Sequence, residues 1–244
     1  MRVTLLFMLL LLSSLLAEEN TYLREYTYEA SAYDTKETAR VVALTQVKRL
    51  LLEEVSVYMQ SETEWIQKEV LVKGEYIADE LYERKIIALT AGITKTKILN
   101  EKWDGKIFSL KAEISVNPEN VYDQIAALIE NKELLQDLEK ANEREDDLLQ
   151  ELDKLRKEIQ HIALEEQRAD QYAKYKKEIR LLEAMDWFKE ALKLSINDKY
   201  ALAVPFYQKA IELNPEFTSA YNNLGLAYKV LDQYDYAITN YQQA

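Results

Sequence analysis

The stretch AYNNLGLAYKVLDQYDYAITNYQQA, residues 220–244, decides the fold of the C-terminal part of the chain. Its pattern of aromatic and small residues occurs once more 34 residues earlier. Stacked helical hairpins need small residues where helices touch and large apolar residues between hairpins. We therefore predict two hairpins over residues 184–244, the second incomplete. The recurring positions are Tyr221, Leu224, Gly225, Tyr228, Ala237, Tyr241 and Ala244 in the later copy, and Trp187, Ala191, Leu194, Ala203, Tyr207 and Ala210 in the earlier one.

These residues resemble the tetratricopeptide repeat (TPR) family. Pro215 closes the first repeat, and the segments 198–200 and 232–234 fall at equivalent turns. Two residues depart from the pattern. Glu190 stands where Leu is expected, and Pro205 lies inside a predicted helix, where it removes a backbone hydrogen bond and predicts a kink. The resemblance implies an all-α array that binds protein or peptide segments and is not an enzyme.

The resemblance also implies a peptide groove lined by the first helix of each hairpin. Lys189, Asn222 and Lys229 could hold a partner's main chain or a carboxylate. Leu226 stands where full carboxylate clamps of the family often use Asn, so that clamp is not predicted. The alternative, that some of these side chains simply face solvent, stays open. The groove candidates are Phe188, Lys189, Leu192, Asn222, Asn223, Leu226 and Lys229.

Residues 121–183 contain no Gly or Pro and carry a heptad pattern, which fades after Ile162. Charged residues fill most positions outside the apolar seam, as in a coiled coil. We predict a long coiled-coil helix that self-associates and makes the protein a homo-oligomer. The alternative is a single long helix that folds back on its own domain. The seam consists of Leu134, Ala141, Leu148, Leu155 and Ile162 at one heptad position, and Leu138, Glu145, Leu152 and Ile159 at the other.

Residues 18–120 predict a compact α+β domain. The Tyr- and Thr-rich segment 21–30 is typical of a strand. Asp34 and Glu37 form a capping box for a helix that reaches about Ser61. One face of this helix is apolar, with Ala39, Val42, Ala43, Val47, Leu50, Leu51 and Val55.

The second half of this domain predicts a weaker strand over 65–72, a short helix over 77–89 and a β-hairpin. The hairpin rises over 92–103, turns at Asp104-Gly105 and returns over 106–116. Asp-Gly between two β-rich runs is typical of a type I′ turn. The overall fold expected is thus an α+β N-terminal domain followed by a long coiled-coil helix and an all-α TPR helical-hairpin array.

Three runs in the α+β domain carry a second resemblance: residues 39–54, 89–93 and 101–106. They are similar to the N-terminal fold of the flagellar assembly protein T family and related secreted bacterial envelope proteins, over residues 22–120. The resemblance implies an assembly part or a structural part of the envelope. It supplies no catalytic residue.

The first 17 residues have the layout of a secretory signal peptide. Arg2 precedes an apolar run over 3–12, and small residues lead to Ala17. The apolar stretch 3–17 is shorter than the about 17–25 residues of a membrane-spanning helix. We expect export across the inner membrane, cleavage near Ala17 and residence in the periplasm or cell envelope. An uncleaved membrane anchor is the alternative.

The composition narrows the function classes. The chain has 244 residues, a formal charge of −12 and no basic cluster, which argues against nucleic acid as a partner. It has no Cys, which excludes a lipid anchor on cysteine, and its one histidine is His161. We expect no cofactor, no metal site and no catalytic residue. The function expected is a scaffold that binds other proteins; alternatives are a component of an envelope machine for motility or secretion and, less favoured, a cell-wall hydrolase.

Overall fold

A computed structural model describes residues 20–72, 90–91, 94–116, 131–162 and 165–244. The predicted signal peptide over 1–17 and the predicted helix over 77–89 lie outside these residues. No helix in the described ranges is both long and apolar enough to span a membrane. The main elements, in chain order, are β1 (Asn20–Glu29), α1 (Lys36–Val72), β2 (Lys95–Trp103), β3 (Ile107–Val116), α2 (Lys132–His161), α3 (Glu165–Ile196), α4 (Tyr200–Leu213), α5 (Thr218–Val230) and α6 (Tyr234–Gln243).

The N-terminal strands form one antiparallel sheet in the order β1-β3-β2. Buried and partly exposed side chains alternate along the central strand β3, because successive side chains on a strand point to opposite faces of the sheet. Its apolar residues Phe108, Leu110, Ala112 and Ile114 are fully buried on the face that packs against α1. The strand predicted over 21–30 and the hairpin over 92–116 are therefore confirmed.

The hairpin turn differs from the predicted type I′ turn. That turn needs a positive φ at both central residues, but only Gly105 has one here, at 101°. Instead, Asp104 Oδ1 accepts hydrogen bonds from the backbone N–H groups of Lys106 (2.9 Å) and Ile107 (2.6 Å). The Asp side chain thus closes the turn itself, a local bond that the dipeptide pattern does not reveal.

Helix α1 begins one residue later and ends about ten residues further on than expected. The cap is Thr35, whose Oγ1 accepts from the N–H of Thr38 (3.2 Å) while Thr38 Oγ1 accepts from Thr35 (2.9 Å), so the predicted Asp34–Glu37 box is wrong. The strand predicted over 65–72 is wrong as well, because that segment continues the helix. No Gly or Pro interrupts the chain before Gly74, so nothing in the sequence ends the helix earlier.

Asp34 joins the sheet to the helices instead of capping α1. Its carboxylate accepts hydrogen bonds from the hydroxyls of Tyr175 (2.6 Å) on α3, Tyr28 (3.1 Å) on β1 and Ser31 (2.8 Å). Burial raises the pKa of Tyr28 to about 12, so this phenol stays a donor. The guanidinium of Arg156 on α2 lies 4.8 Å from the centre of the Tyr28 ring. The α+β domain is therefore fixed to both long helices.

The continuous coiled-coil helix predicted over 121–183 is not formed. Helix α2 ends at His161, Ile162 is extended, and α3 returns antiparallel along α2. The seam residues of α2 are buried inside the single chain, together with Tyr175, Ile179 and Leu182 of α3. The seam packs within the chain, as the alternative expected, but the single long helix of that alternative is not formed either, because Ile162 is extended and separates α2 from α3. The seam is therefore not free for a second copy. The expected boundary at 183–184 falls inside α3.

Candidate functional site

The C-terminal helices form two hairpins, α3 with α4 and α5 with α6. Their turns are equivalent, since Asp198 (φ 56°) and Asp232 (φ 58°) lie 34 residues apart and both adopt the left-handed conformation. This conformation is uncommon for residues other than Gly, and Asp tolerates it better than most. Helix α4 is continuous through Pro205. The two predicted hairpins are therefore present, although the first helix of the first hairpin, α3, already begins at Glu165.

A small residue lies where the two helices of the second hairpin cross. A Cβ atom added to Gly225 would lie 2.8 Å from the ring of Tyr241 on α6. The equivalent pair in the first hairpin is Ala191 and Tyr207, both fully buried. Small residues at this position let an aromatic ring lie directly on the opposing helix.

Four of the seven groove candidates belong to the interior, and two of these are apolar. Phe188 and Leu192 are buried, with 1 % and 0 % exposure. The Phe188 ring contacts Phe217 (4.6 Å between centroids) and Tyr207 (5.8 Å). These side chains therefore pack in the core and do not line an open groove.

The other two interior candidates are polar and are already bonded to α2. Lys189 Nζ lies 2.5 Å from Glu145 Oε2, and both side chains are less than 10 % exposed. Asn223 Nδ2 donates to Asp137 Oδ2 at 2.6 Å, and burial raises the pKa of Asp137. Helix α2 therefore contacts the first helix of each hairpin and fills the groove over the first repeat.

The remaining three candidates lie on the outside of α5. Asn222 and Lys229 are exposed and Leu226 is half-buried. Their spacing of four and three residues places them on one face of the helix. We call Asn222, Leu226 and Lys229 the α5 line. The equivalent residues 34 positions earlier are Phe188, Leu192 and Ser195, which are all covered.

A charged cluster that the sequence did not predict lies between α1 and α3. Lys48 Nζ lies 2.5 Å from Asp186 Oδ1 and 3.7 Å from Glu190 Oε1, and Lys193 Nζ lies 3.0 Å from the same Glu190 oxygen. Burial acts to lower the pKa of Lys48, but the two carboxylates outweigh it and raise that pKa. Burial lowers the pKa of Lys193 more than Glu190 raises it. The cluster attaches the α+β domain to the first repeat.

One departure from the repeat pattern was the signal for this cluster. Glu190 stands where the family expects Leu, and the structure shows that its neighbour is Lys48 of α1 rather than an apolar helix. Within the described residues no group of three or more His, Cys, Asp or Glu side chains is arranged to hold a metal ion.

Comparison with known families supports the repeats. Models described as tetratricopeptide repeat match residues 206–239 and residues 194–217. These matches cover α4, α5, most of α6 and the end of α3, and tetratricopeptide repeats generally bind other proteins. No curated protein matches the chain. The comparisons do not confirm the resemblance of residues 22–120 to the flagellar assembly protein T family.

Proposed function

We propose that the chain is an exported scaffold whose α5 line binds a segment of a partner protein. The observation that carries this proposal is the different state of equivalent surfaces in the two repeats. On α3 the equivalent surface is covered, since Phe188 contacts Tyr207 and Phe217 and Ser195 shares a hydrogen bond with Tyr207 of α4. On α5 the residues Asn222 and Lys229 are exposed. A surface that already binds one helix of the same chain is suited to bind a similar segment where it is open.

Helix α2 binds the neighbouring positions of the two repeats, and its contacts indicate the chemistry that such a segment would use. Its carboxylates Glu145 and Asp137 bond to Lys189 and Asn223 at the first repeat and the second. By analogy, the ammonium of Lys229 would take a carboxylate and the amide of Asn222 a carbonyl. Leu226 would contact an apolar side chain. Affinity would be modest, because ordering a flexible segment offsets much of the contact energy.

The location belongs to the same proposal. The apolar run over 3–12 after Arg2 supports export to the periplasm or cell envelope. Sequencing the N-terminus of the protein from its native host should give a start near Glu18. A cytosolic pool that retains Met1 would contradict export. The second candidate, a component of a motility or secretion machine, differs only in its partner.

A photo-reactive amino acid tests the binding surface directly. Placed at Leu226, it should crosslink a partner in the native host, which mass spectrometry then identifies. The matched control is Leu202, an apolar side chain of α4 that is 59 % exposed and lies off the α5 line. The double variant Asn222→Ala/Lys229→Ala should weaken binding of that partner while leaving the circular dichroism unchanged. Equal crosslinking from both positions, or full binding by the folded double variant, would contradict the proposal.

A further inference from the structure

Strand β1 is an edge of the sheet, and no strand in the described residues pairs with its outer side. The sheet order β1-β3-β2 leaves it with β3 as its neighbour. Hydrogen bonding alternates along an antiparallel pair, and the Ala30 N–H donates to the Lys106 carbonyl (2.8 Å). Even-numbered residues of β1 therefore bond to β3, and the odd-numbered residues from Thr21 to Glu29 direct their backbone groups away from the sheet.

Two contacts show that this outer side accepts hydrogen bonds. Arg156 of α2 donates to the Glu29 carbonyl at the end of the strand. The Arg24 guanidinium donates to the carbonyl of its neighbour Leu23 (3.1 Å), a local bond that an incoming N–H group can replace. Helix α2 therefore closes the edge at Glu29, and residues 21–27 stay open to a partner.

The two edges of the sheet differ in the features that hinder pairing with another chain. Proteins protect an open edge with bulges, lysines and prolines. Strand β2 has an irregularity between Ile98 and Asn100 and carries Lys95, Lys97 and Lys102. Strand β1 keeps one register over ten residues and contains no Lys or Pro. The edge suited to a partner strand is therefore β1.

Positive charge collects beside β1 on the face of the sheet that packs against α1. Tyr26 lies on this face, because its partner Leu110 on β3 is buried there. Burial raises the pKa of Tyr26, while the guanidinium groups of Arg49 on α1 and Arg156 on α2 act to lower it. Arg24 of β1 faces the same way and is 46 % exposed. Three cations from three elements thus surround the open edge.

These charges are only partly neutralised. Arg24 pairs with Glu54 at 2.9 Å, but the carboxylate oxygens beside Arg49 lie 3.6 Å away, too far for a strong hydrogen bond. The described residues place no carboxylate within 4.0 Å of Arg156, whose contacts are the Glu29 carbonyl and the Tyr28 ring. The buried Nε–H groups of Arg49 and Arg156 donate no hydrogen bond in this part of the chain. In a chain of net charge −12, these guanidinium groups favour a carboxylate from outside.

We propose that the open edge of β1 binds an extended acidic segment of a partner protein, which adds a fourth strand to the sheet. Backbone hydrogen bonds to residues 21–27 supply the affinity, and side chains at alternate positions of the segment supply the specificity. An Asp or Glu side chain beside Tyr26 reaches Arg49 and Arg156. This surface is independent of the α5 line, which lies on the second repeat.

A fluorescent peptide with alternating Thr and Glu, seven residues long to match 21–27, tests the proposal by anisotropy with the full chain. Binding should be saturable, and the peptide with Lys in place of Glu should bind about tenfold more weakly or worse. Thr27→Pro should abolish binding, because it removes an outward N–H that β3 does not use. Thr96→Pro is the matched control, since Thr96 has the same outward orientation on β2, and it should bind as the parent does. No saturable binding, equal binding of the two peptides, or full binding by Thr27→Pro would overturn the proposal.

A charge variant keeps the test decisive if Thr27→Pro disturbs the sheet. Arg49→Gln leaves the backbone of β1 unchanged and should weaken binding of the acidic peptide by about fivefold, as expected for a partly exposed ion pair. Arg144→Gln is its control, because Arg144 of α2 is 52 % exposed and lies beside Asp147; it should have no effect. Equal affinities for the parent and a folded Arg49→Gln variant would contradict the proposal. So would a parent that dimerises in sedimentation and becomes monomeric as Thr27→Pro, since a second copy would then fill the edge.

Discussion

The ion pair between Glu145 of α2 and Lys189 of α3 allows the packing of α2 against the first repeat to be tested through the free energy of unfolding. The two side chains are 8 % and 6 % exposed and their charged atoms are 2.5 Å apart. Removing either partner leaves the other charge buried without its counter-ion, which typically costs about 3–5 kcal/mol. Replacing both with apolar residues of similar size is often neutral or stabilising by about 1–4 kcal/mol. We therefore expect the single changes to be costly and the double change to be nearly neutral.

The variants are Lys189→Met, Glu145→Leu and the combination of both. Glu145→Leu makes the seam of α2 apolar at the one position where it is polar. Urea unfolding followed by circular dichroism gives the stabilities. With a slope of about 2–3 kcal/mol per molar urea, a loss of ~3 kcal/mol lowers the midpoint by about 1–1.5 M. The double variant should unfold near the parent's midpoint or above it.

The control is the exposed pair Lys209–Glu212 on α4, whose side chains are 38 % and 67 % exposed. Lys209→Met should change stability by less than about 0.5 kcal/mol, since solvent screens such pairs. Two results would refute the reasoning about the groove. One is a cost below about 1 kcal/mol for each single change of the buried pair. The other is a double variant whose loss equals the sum of the single losses.

Three further outcomes follow from the structure. Gly225→Leu should detach α6 and lower the helical signal, because even a Cβ would lie 2.8 Å from the Tyr241 ring; an unchanged melting curve would contradict this. Asp34→Asn should cost about 1.5–3 kcal/mol in urea unfolding, because two tyrosine hydroxyls lose a charged acceptor; a neutral effect would contradict it. Burial acts to raise the pKa of Asp186, but the Lys48 ammonium and its neighbours outweigh it and lower that pKa. The stabilisation from the Asp186–Lys48 ion pair is therefore fully present above the pKa of Asp in the unfolded chain, about 3.9, and is lost as the pH falls through the lower pKa of the folded state. The stability difference between the parent and Lys48→Met, measured in urea at several pH values, should shrink as the pH falls through the acidic range; a difference that stays constant there would contradict this.

Short-range patterns and the 34-residue repeat in the sequence predicted the β-hairpin and the two helical hairpins. The strict alternation of β3 and the Asp104-Gly105 turn located the hairpin, although the Asp104 side chain changed the turn type. The 34-residue repetition located both helical hairpins, down to the equivalent turns at Asp198 and Asp232. In each case the pattern repeats within a few residues or at a fixed period, so neighbours in sequence were sufficient.

The reversal between α2 and α3 was harder to predict, because the sequence at that point carries no helix breaker. Ile162 is extended, and the Arg168 guanidinium donates to its carbonyl oxygen, which replaces the bonds of a helix end. No Gly or Pro marks the site. The fading of the heptads after Ile162 was nevertheless a correct sign of the end of the helix. The partner of the seam could not be predicted, since an apolar seam does not reveal whether it packs within the same chain or against another copy.

The groove candidates differ in burial for a related reason. A repeat pattern shows which side chains of α3 and α5 are equivalent, but not which element lies against them. The departures from the pattern carry that information. Glu190 differs from the expected Leu because Lys48 lies beside it, and Glu145 interrupts an apolar seam because Lys189 lies opposite. A polar residue at a position that a repeat or heptad reserves for an apolar one therefore indicates a contact outside the repeat. In this chain the two departures together identify α1 and α2 as helices outside the repeats that contact the first repeat.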